Sequence, residues 1–432
     1  MTEPAVAVPM ASMNSHVPVA SGSSRRLTIL GLLLLLLFLA ALYVPGFTVK
    51  SRYWLPLFSK YMALALFALS VDLIWGYTGL LSLGQGLYFG LGAYAVGYSL
   101  KLQQAAHAAG KPLLAGPDMA MPDFMDYCRL PGVPAWIAPL VNIWLALGLA
   151  VLLPLVVATI FGLVTFRLRI KGVFFALITQ ALVLAVYTLV VNQQPYTGGV
   201  VGMTYLAKLE LFGHKFVMAD MYFLVTTVLV ICFVGCAILV HTKFGKILTA
   251  IRDNENRVLA LGYNTAMYKT FIFAISGALA GLAGALFVSA YGTTGPDSLG
   301  IAWSIEVVVW VAAGGRGTLV GAILGAVLVG LANTYFNDKY SEAWPVILGS
   351  LFIGVVLFLP EGILGGLRSV GKRLLRILPQ AAPASEKQNP APAAQREVNS
   401  ALPRPSSVTD ETHAKLAQPH EVKAIISDLK GT

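Results

Sequence analysis

Three charged side chains fall within or beside long apolar stretches that carry almost no charge: Asp72, Glu306 and Arg316. Hydrocarbon penalises an isolated charge, so such a group usually faces a protein interior or a water-lined path and has a partner there. Asp72 is followed by Trp75, Gly76 and Tyr77, so it is either an acceptor for a glycine-rich turn or a group on a solute path. Glu306 stands one helical turn before Trp310, beside the place where a helix is most easily interrupted. Arg316 sits in the turn Gly314-Gly-Arg-Gly-Thr318, as a path residue or as an anchor on the cytoplasmic side. Lys60 lies near the outer end of its stretch, where its long stem can carry the ammonium to water.

Other chemistries are missing. No G-x-x-x-x-G-K-[ST] phosphate loop occurs, because Gly110-Lys111 is followed by Pro112 and Gly245-Lys246 by Ile247. If ATP drives this protein, a separate subunit hydrolyses it. The six histidines are scattered without metal-ligand spacing. The three cysteines form no disulfide framework; Cys232 and Cys236 lie one turn apart in an apolar run and read as small packing residues. The chain is thus expected to hold no metal or cofactor and to be no enzyme.

The elements that must position these residues are membrane helices. Of 432 residues 57% are apolar and 12% charged, and the mean hydropathy is +0.75, against about 25% charged in a soluble domain. The apolar runs are continuous rather than alternating, which favours helices over a barrel. They fall near 27–44, 53–75, 78–100, 136–165, 173–192, 220–240, 270–291, 302–313, 318–336 and 344–360. The expected fold is an all-α integral membrane protein with about ten transmembrane or re-entrant helices. The run 302–313 is short for a span and reads as a half-helix turning at Gly314 and Gly315. Residues 1–24 and 368–432 read as cytoplasmic tails, the second basic and then disordered, around a membrane domain at 25–367.

The net charge of +10 comes mostly from Lys and Arg flanking apolar runs, a mark of topology rather than of nucleic-acid binding. Arg167, Arg169, Lys171, the 241–269 loop and Arg368 to Arg376 cluster on one side, which places both termini in the cytoplasm. Segments 101–134 and 193–219 are then outside. Lipid gives helices no hydrophobic drive to associate, so small residues must allow close backbone contact. Gly86 with Gly90, Gly277 with Gly281, and the series Gly317, Gly321 and Gly325 are the expected packing positions.

The loop 241–269 has its own pattern. Ile247, Leu248, Ile251, Val258 and Leu259 share one helical face, while Arg252, Asp253, Glu255 and Asn256 lie elsewhere, and Asp253 and Arg257 are spaced as i,i+4 partners. Such a helix offers its apolar face to a partner groove or lies on the membrane surface.

Three stretches resemble the branched-chain amino acid and urea permeases of ABC importers: Trp75-Gly-Tyr-Thr-Gly-Leu-Leu-Ser-Leu-Gly84, the loop from Ala250 to Tyr263, and Gly314 to Thr318. Phe174 to Ala181, Ser304 to Val311 and Pro122 to Met125 resemble the urea branch. Gln85 stands where urea-type sequences commonly have His, and the loop after Asn192 keeps the glycines of the family without its Asn-rich form. The resemblance covers roughly residues 55–367. It implies a plasma-membrane importer with a second homologous permease, two ATP-binding cassette subunits that use ATP and Mg, and an external solute-binding protein. It makes the helix around 247–262, including Arg257 and Gly262, the ATPase-coupling helix. For urea, a small neutral solute, the path would use Gln85, Thr179, Gln180, Glu306 and Trp310. The rival solute within the family is a branched-chain amino acid; a stand-alone secondary transporter or channel is the rival of another class.

Overall fold

The computed structural model describes residues 35–49, 51–110, 119–170, 172–339 and 344–358, with 362, 363 and 365. All lie in one compact unit, Met1–Arg373. The tails expected at 1–24 and 368–432 lie outside the described residues, as does the start of the first apolar run.

Each of the ten apolar runs contains helix. A short helical stretch, Leu35–Thr48, precedes α1 (Trp54–Thr78), α2 (Gln85–Ala109), α3 (Ile143–Arg167), α4 (Val173–Asn192) and α5 (Ala219–His241). Then come α6 (Lys243–Ala260), α7 (Thr265–Tyr291), α8 (Ile301–Gly314), α9 (Leu319–Lys339) and α10 (Trp344–Phe358). Among the described residues six helices are long and apolar enough to cross a membrane: α1, α3, α4, α5, α7 and the Leu319–Phe336 part of α9. Helix α2 is as long as α1, but its last third carries Lys101, Gln103, Gln104 and His107. Helix α8 has 14 residues, about 21 Å at 1.5 Å per residue, short of the roughly 30 Å hydrocarbon layer.

Helix α7 is central and packs on α1, α2 and α3. Its glycines explain how closely. A methyl group on Gly281 would overlap the Ala150 carbonyl of α3, and one on Gly284 the Phe89 carbonyl of α2. Pro154 has no N–H to give the Ala150 carbonyl, so that group is left uncovered by its own helix and α7 packs over it. Gly277 meets Ala158, Gly86 meets Gly300 and Ser304, and Gly90 meets Leu299. Across the α8–α9 hairpin, Gly321 packs on Gly314, and Gly325 on the Trp310 carbonyl. Larger residues at these places would separate the helices, and dispersion falls steeply with distance.

Two interruptions shape the interior. Gly79, with φ 72°, closes α1 in the left-handed region, and residues 79–84 continue as non-helical chain into the bundle before α2 begins. This shifts the helix expected from residue 78 to Gln85. The second lies beyond α7, where residues 292–300 turn back through the single-turn helix Pro296–Leu299 before α8 starts. Trp303 lies 5.5 Å from Phe287 of α7, ring to ring, so α8 starts beside the body of that helix.

Candidate functional site

The start of α2 is held by side chains from two other helices. Thr179 of α4 accepts a hydrogen bond from the Leu83 N–H at 3.2 Å and donates to Ala176 O at 2.8 Å. Ser304 of α8 accepts from the Gly86 N–H at 2.9 Å. Gln85 stands between these pinned residues, fully buried, and neither atom of its amide has a partner among the described residues. Trp310, on α8, is likewise buried with its indole N–H unpaired. An amide or indole N–H withheld from water and from protein costs about 1–3 kcal/mol, so these groups mark a place suited to a polar visitor. Gln180 is half-buried beside Thr179.

At the end of α1 the polar groups are tied together. Asp72 accepts from the Gly317 N–H at 2.6 Å, where a methyl on Gly76 would strike the Gly317 backbone. Positive φ at Gly315 and Gly317, 125° and 76°, allows this turn to fold onto α1. Arg316 lies over the Trp75 ring, 5.2 Å from its centroid. Glu306 accepts from Asn333 at 3.1 Å, linking α8 to α9. Lys60 sits 4.6 Å from the Tyr291 ring centroid, an ammonium over an aromatic face. Asp72 and Arg316 thus belong to one turn, and Glu306 to a different contact.

Helix α6 departs from the expected pattern. Asn254 has non-helical backbone (φ −158°, ψ 95°) and splits it; its side chain accepts from the Arg257 N–H and starts the second half. The i,i+4 pairing of Asp253 with Arg257 is therefore absent, and Asp253 lies 3.4 Å from Arg252 instead. The apolar face is also corrected: Leu248, Ile251 and Val258 are buried against the protein's own helices, and Ile247 is half-buried. The apolar groups left uncovered are Leu259, Leu261 and Tyr263, with Gly262 between the last two. Arg252 donates to Gly76 O at 2.7 Å. Glu255 accepts from Lys269 at 2.6 Å and from Thr265 at 3.1 Å, which fastens the second half of α6 to α7.

The model of the family described as branched-chain amino acid transport system / permease component matches residues 54–359, well over half of the chain. The chain belongs to this permease family. The permease is 25% identical to the high-affinity branched-chain amino acid permease protein LivM of Salmonella typhimurium over 355 residues, 76% of this chain and 74% of the relative. LivM of Escherichia coli is 24% identical over the same shares. The ribose import permease protein RbsC of Haemophilus influenzae is 27% identical over 134 residues, 30% of this chain and 41% of that one. No solved structure matches. The permease is therefore a multi-pass transport component of the branched-chain amino acid type, not an enzyme.

Four residues of the permease were not foreseen from the sequence. Lys101, read as an outer-loop charge, is buried and donates to Asp123 at 2.9 Å and to Thr204 O at 2.8 Å, joining two loops. Ser304 and Tyr94 were not singled out, and neither was Asp297. The signals were present: a Ser one turn into a short helix, a Tyr in a glycine-rich one, and an Asp after Gly295-Pro296.

Proposed function

We propose that this permease is one membrane subunit of an ATP-driven importer, and that it carries an aliphatic α-amino acid. The observation that carries the transport reading is the broken backbone inside the bundle: segment 79–84 and half-helix α8 adjoin or carry polar groups, Gln85 and Trp310, that have no partner among the described residues. Irregular backbone at membrane depth occurs where protein covers it or where it lines a cavity. The relatives support an amino acid, since the branched-chain amino acid permease LivM matches about three quarters of both chains. Urea is the second reading, favoured by the neutral side chains Gln85, Thr179 and Gln180.

In this reading both termini and loop 241–269 are cytoplasmic, in a bacterial plasma membrane, and 101–134 and 193–219 face outward. A second homologous permease completes the path, two ATPase subunits use ATP and Mg, and an external binding protein delivers the solute. The groove of an ATPase subunit takes Leu259, Leu261 and Tyr263, while Arg252 carries its movement to α1 through Gly76. Uptake of labelled leucine and labelled urea, in cells with and without this subunit, tests the solute. Loss of leucine uptake alone supports the amino acid; loss of urea uptake alone transfers the assignment to urea. Labelling of single cysteines in 241–269 by an impermeant reagent in intact cells would refute the orientation.

A further inference from the structure

Helices α3 and α4 follow one another in the chain but part in space. They meet at their connected ends, where the Phe166 and Phe175 rings stack 5.2 Å apart, and make little other contact. The buried residues of α4 are Phe175, Ala176, Thr179 and Val183. From Leu184 to Asn192 the helix has none.

Behind that second half lies a cavity of about 300 Å³. Leu91, Ala95 and Tyr98 of α2 form its floor, Leu149 and Leu153 of α3 one wall, and Val190 of α4 the other. Leu153 is 39% exposed, and Leu152 and Leu189 beside the two walls are more exposed still, so the cavity opens between α3 and α4. Both helices are long and apolar enough to cross a membrane, which puts lipid rather than water at the mouth.

One end of the groove is roofed by Trp136 and Leu140. The Trp136 ring lies 6.0 Å from that of Tyr196, and Tyr98 donates to Tyr196 O at 2.7 Å. Trp and Tyr gather where hydrocarbon meets water, so the groove starts at a membrane surface. Leu153 stands ten residues past Ile143, the first residue of α3, or about 15 Å along the helix. The groove thus descends through about half of the roughly 30 Å hydrocarbon layer, the depth of one leaflet.

Size decides what can lie there. About 300 Å³ spread over about 15 Å is about 20 Å² in section, the girth of one extended hydrocarbon chain. A helix of the second permease, at least about 10 Å wide, needs about 80 Å². Water finds few polar partners on these walls, and an empty slot forfeits dispersion contacts along all of them.

We infer that the groove is a binding site for one acyl chain of a phospholipid, taken from the leaflet on the side of residues 101–134, with the glycerol and head group at Trp136. The chain takes the place of a helix contact behind the second half of α4. It also rests on Leu299, which lines the cavity and immediately precedes Gly300 and α8.

The test is photolabelling of the fully assembled importer in bilayers that contain a phosphatidylethanolamine with a diazirine midway along one acyl chain. Lipid around the protein labels the exposed face of α3, at Val156 and Ile160, whatever the groove holds. A chain in the groove also labels α2 within 91–98, which is expected. Leu149→Trp and Val190→Trp fill the groove from its two walls, and each is expected to cut the α2 product severalfold while the product at 156–160 stays. Either variant suffices if the other does not assemble. A free fatty acid with the same diazirine is expected to label α2 less than the phospholipid. A groove that is empty or covered by the second permease gives no α2 product, and that result overturns the site. So does α2 labelling that persists in the filled variants, or labelling by the fatty acid that exceeds labelling by the phospholipid.

Discussion

Around the end of α1 and the neighbouring α6, polar groups are paired: Lys269 of α7 with Glu255, Arg252 with the Gly76 carbonyl, and the Gly317 N–H with Asp72, whose second oxygen is left over. In α2 and α8, by contrast, Gln85 at the start of α2, the Tyr94 hydroxyl farther along it and the Trp310 indole near the end of α8 have no partners among the described residues. The two regions share helices and differ in what their polar groups have to do. Paired groups fix α6 against α1 and α7, the contact through which the proposed reading would pass motion of α6 to α1. Unpaired groups keep bonding capacity for something that arrives and leaves.

This contrast can be broken from either side. The largest effect is expected at Ile251, which is 4% exposed: Ile251→Asp buries a charge without a partner and should abolish assembly of the permease itself. Leu261→Asp, at a residue 75% exposed, should leave the permease folded and reduce copurification of the ATPase subunit. Equal loss of folded permease in both would erase the distinction between inward and outward faces of α6. Next is Lys269→Met, which removes the ammonium that Glu255 faces in a largely buried site while the Thr265 hydroxyl stays; breaking such a buried pair costs about 3–5 kcal/mol, read as a lowered unfolding midpoint in detergent.

Gln85→Leu should behave in the opposite way. Replacing an unpaired buried amide by an apolar group of similar size is neutral or stabilising, so the melting temperature should hold or rise while uptake falls severalfold. A large drop in melting temperature would show that Gln85 is a structural residue with a hidden partner. The smallest effect is expected for Thr179→Val, which removes the hydrogen bond to Leu83 and costs about 1 kcal/mol. Its uptake defect should be milder than that of Gln85→Leu.

The helical membrane fold was legible because it depends on a one-dimensional quantity. A run of apolar residues long enough to cross hydrocarbon must form helix, since no water is available to satisfy its backbone. The same reasoning identified α8 as too short to span, and it marked the glycines where helices touch. It could not assign the faces of α6, because an amphipathic pattern shows that one side is covered and not what covers it. Leu248, Ile251 and Val258 turn inward because α1, far away in sequence, and α7 both pack against α6 in space, as the Arg252 bond to Gly76 and the Lys269 bond to Glu255 record.

What the sequence by itself determined, then, is the set of helices, the shortness of α8, and the few polar residues available inside them. Tertiary structure alone decided which of those residues keep a free valence. One oxygen of Asp72 and the hydroxyl of Thr179 are spent on backbone N–H groups of Gly317 and Leu83, and Glu306 accepts from Asn333, across 245, 96 and 27 residues of chain. Gln85 and Tyr94, equally polar by residue type, are left with none among the described residues. A hydrogen bond needs its partner within about 3 Å, and neighbours at that range are set by how helices pack, a property that no local pattern of residues encodes.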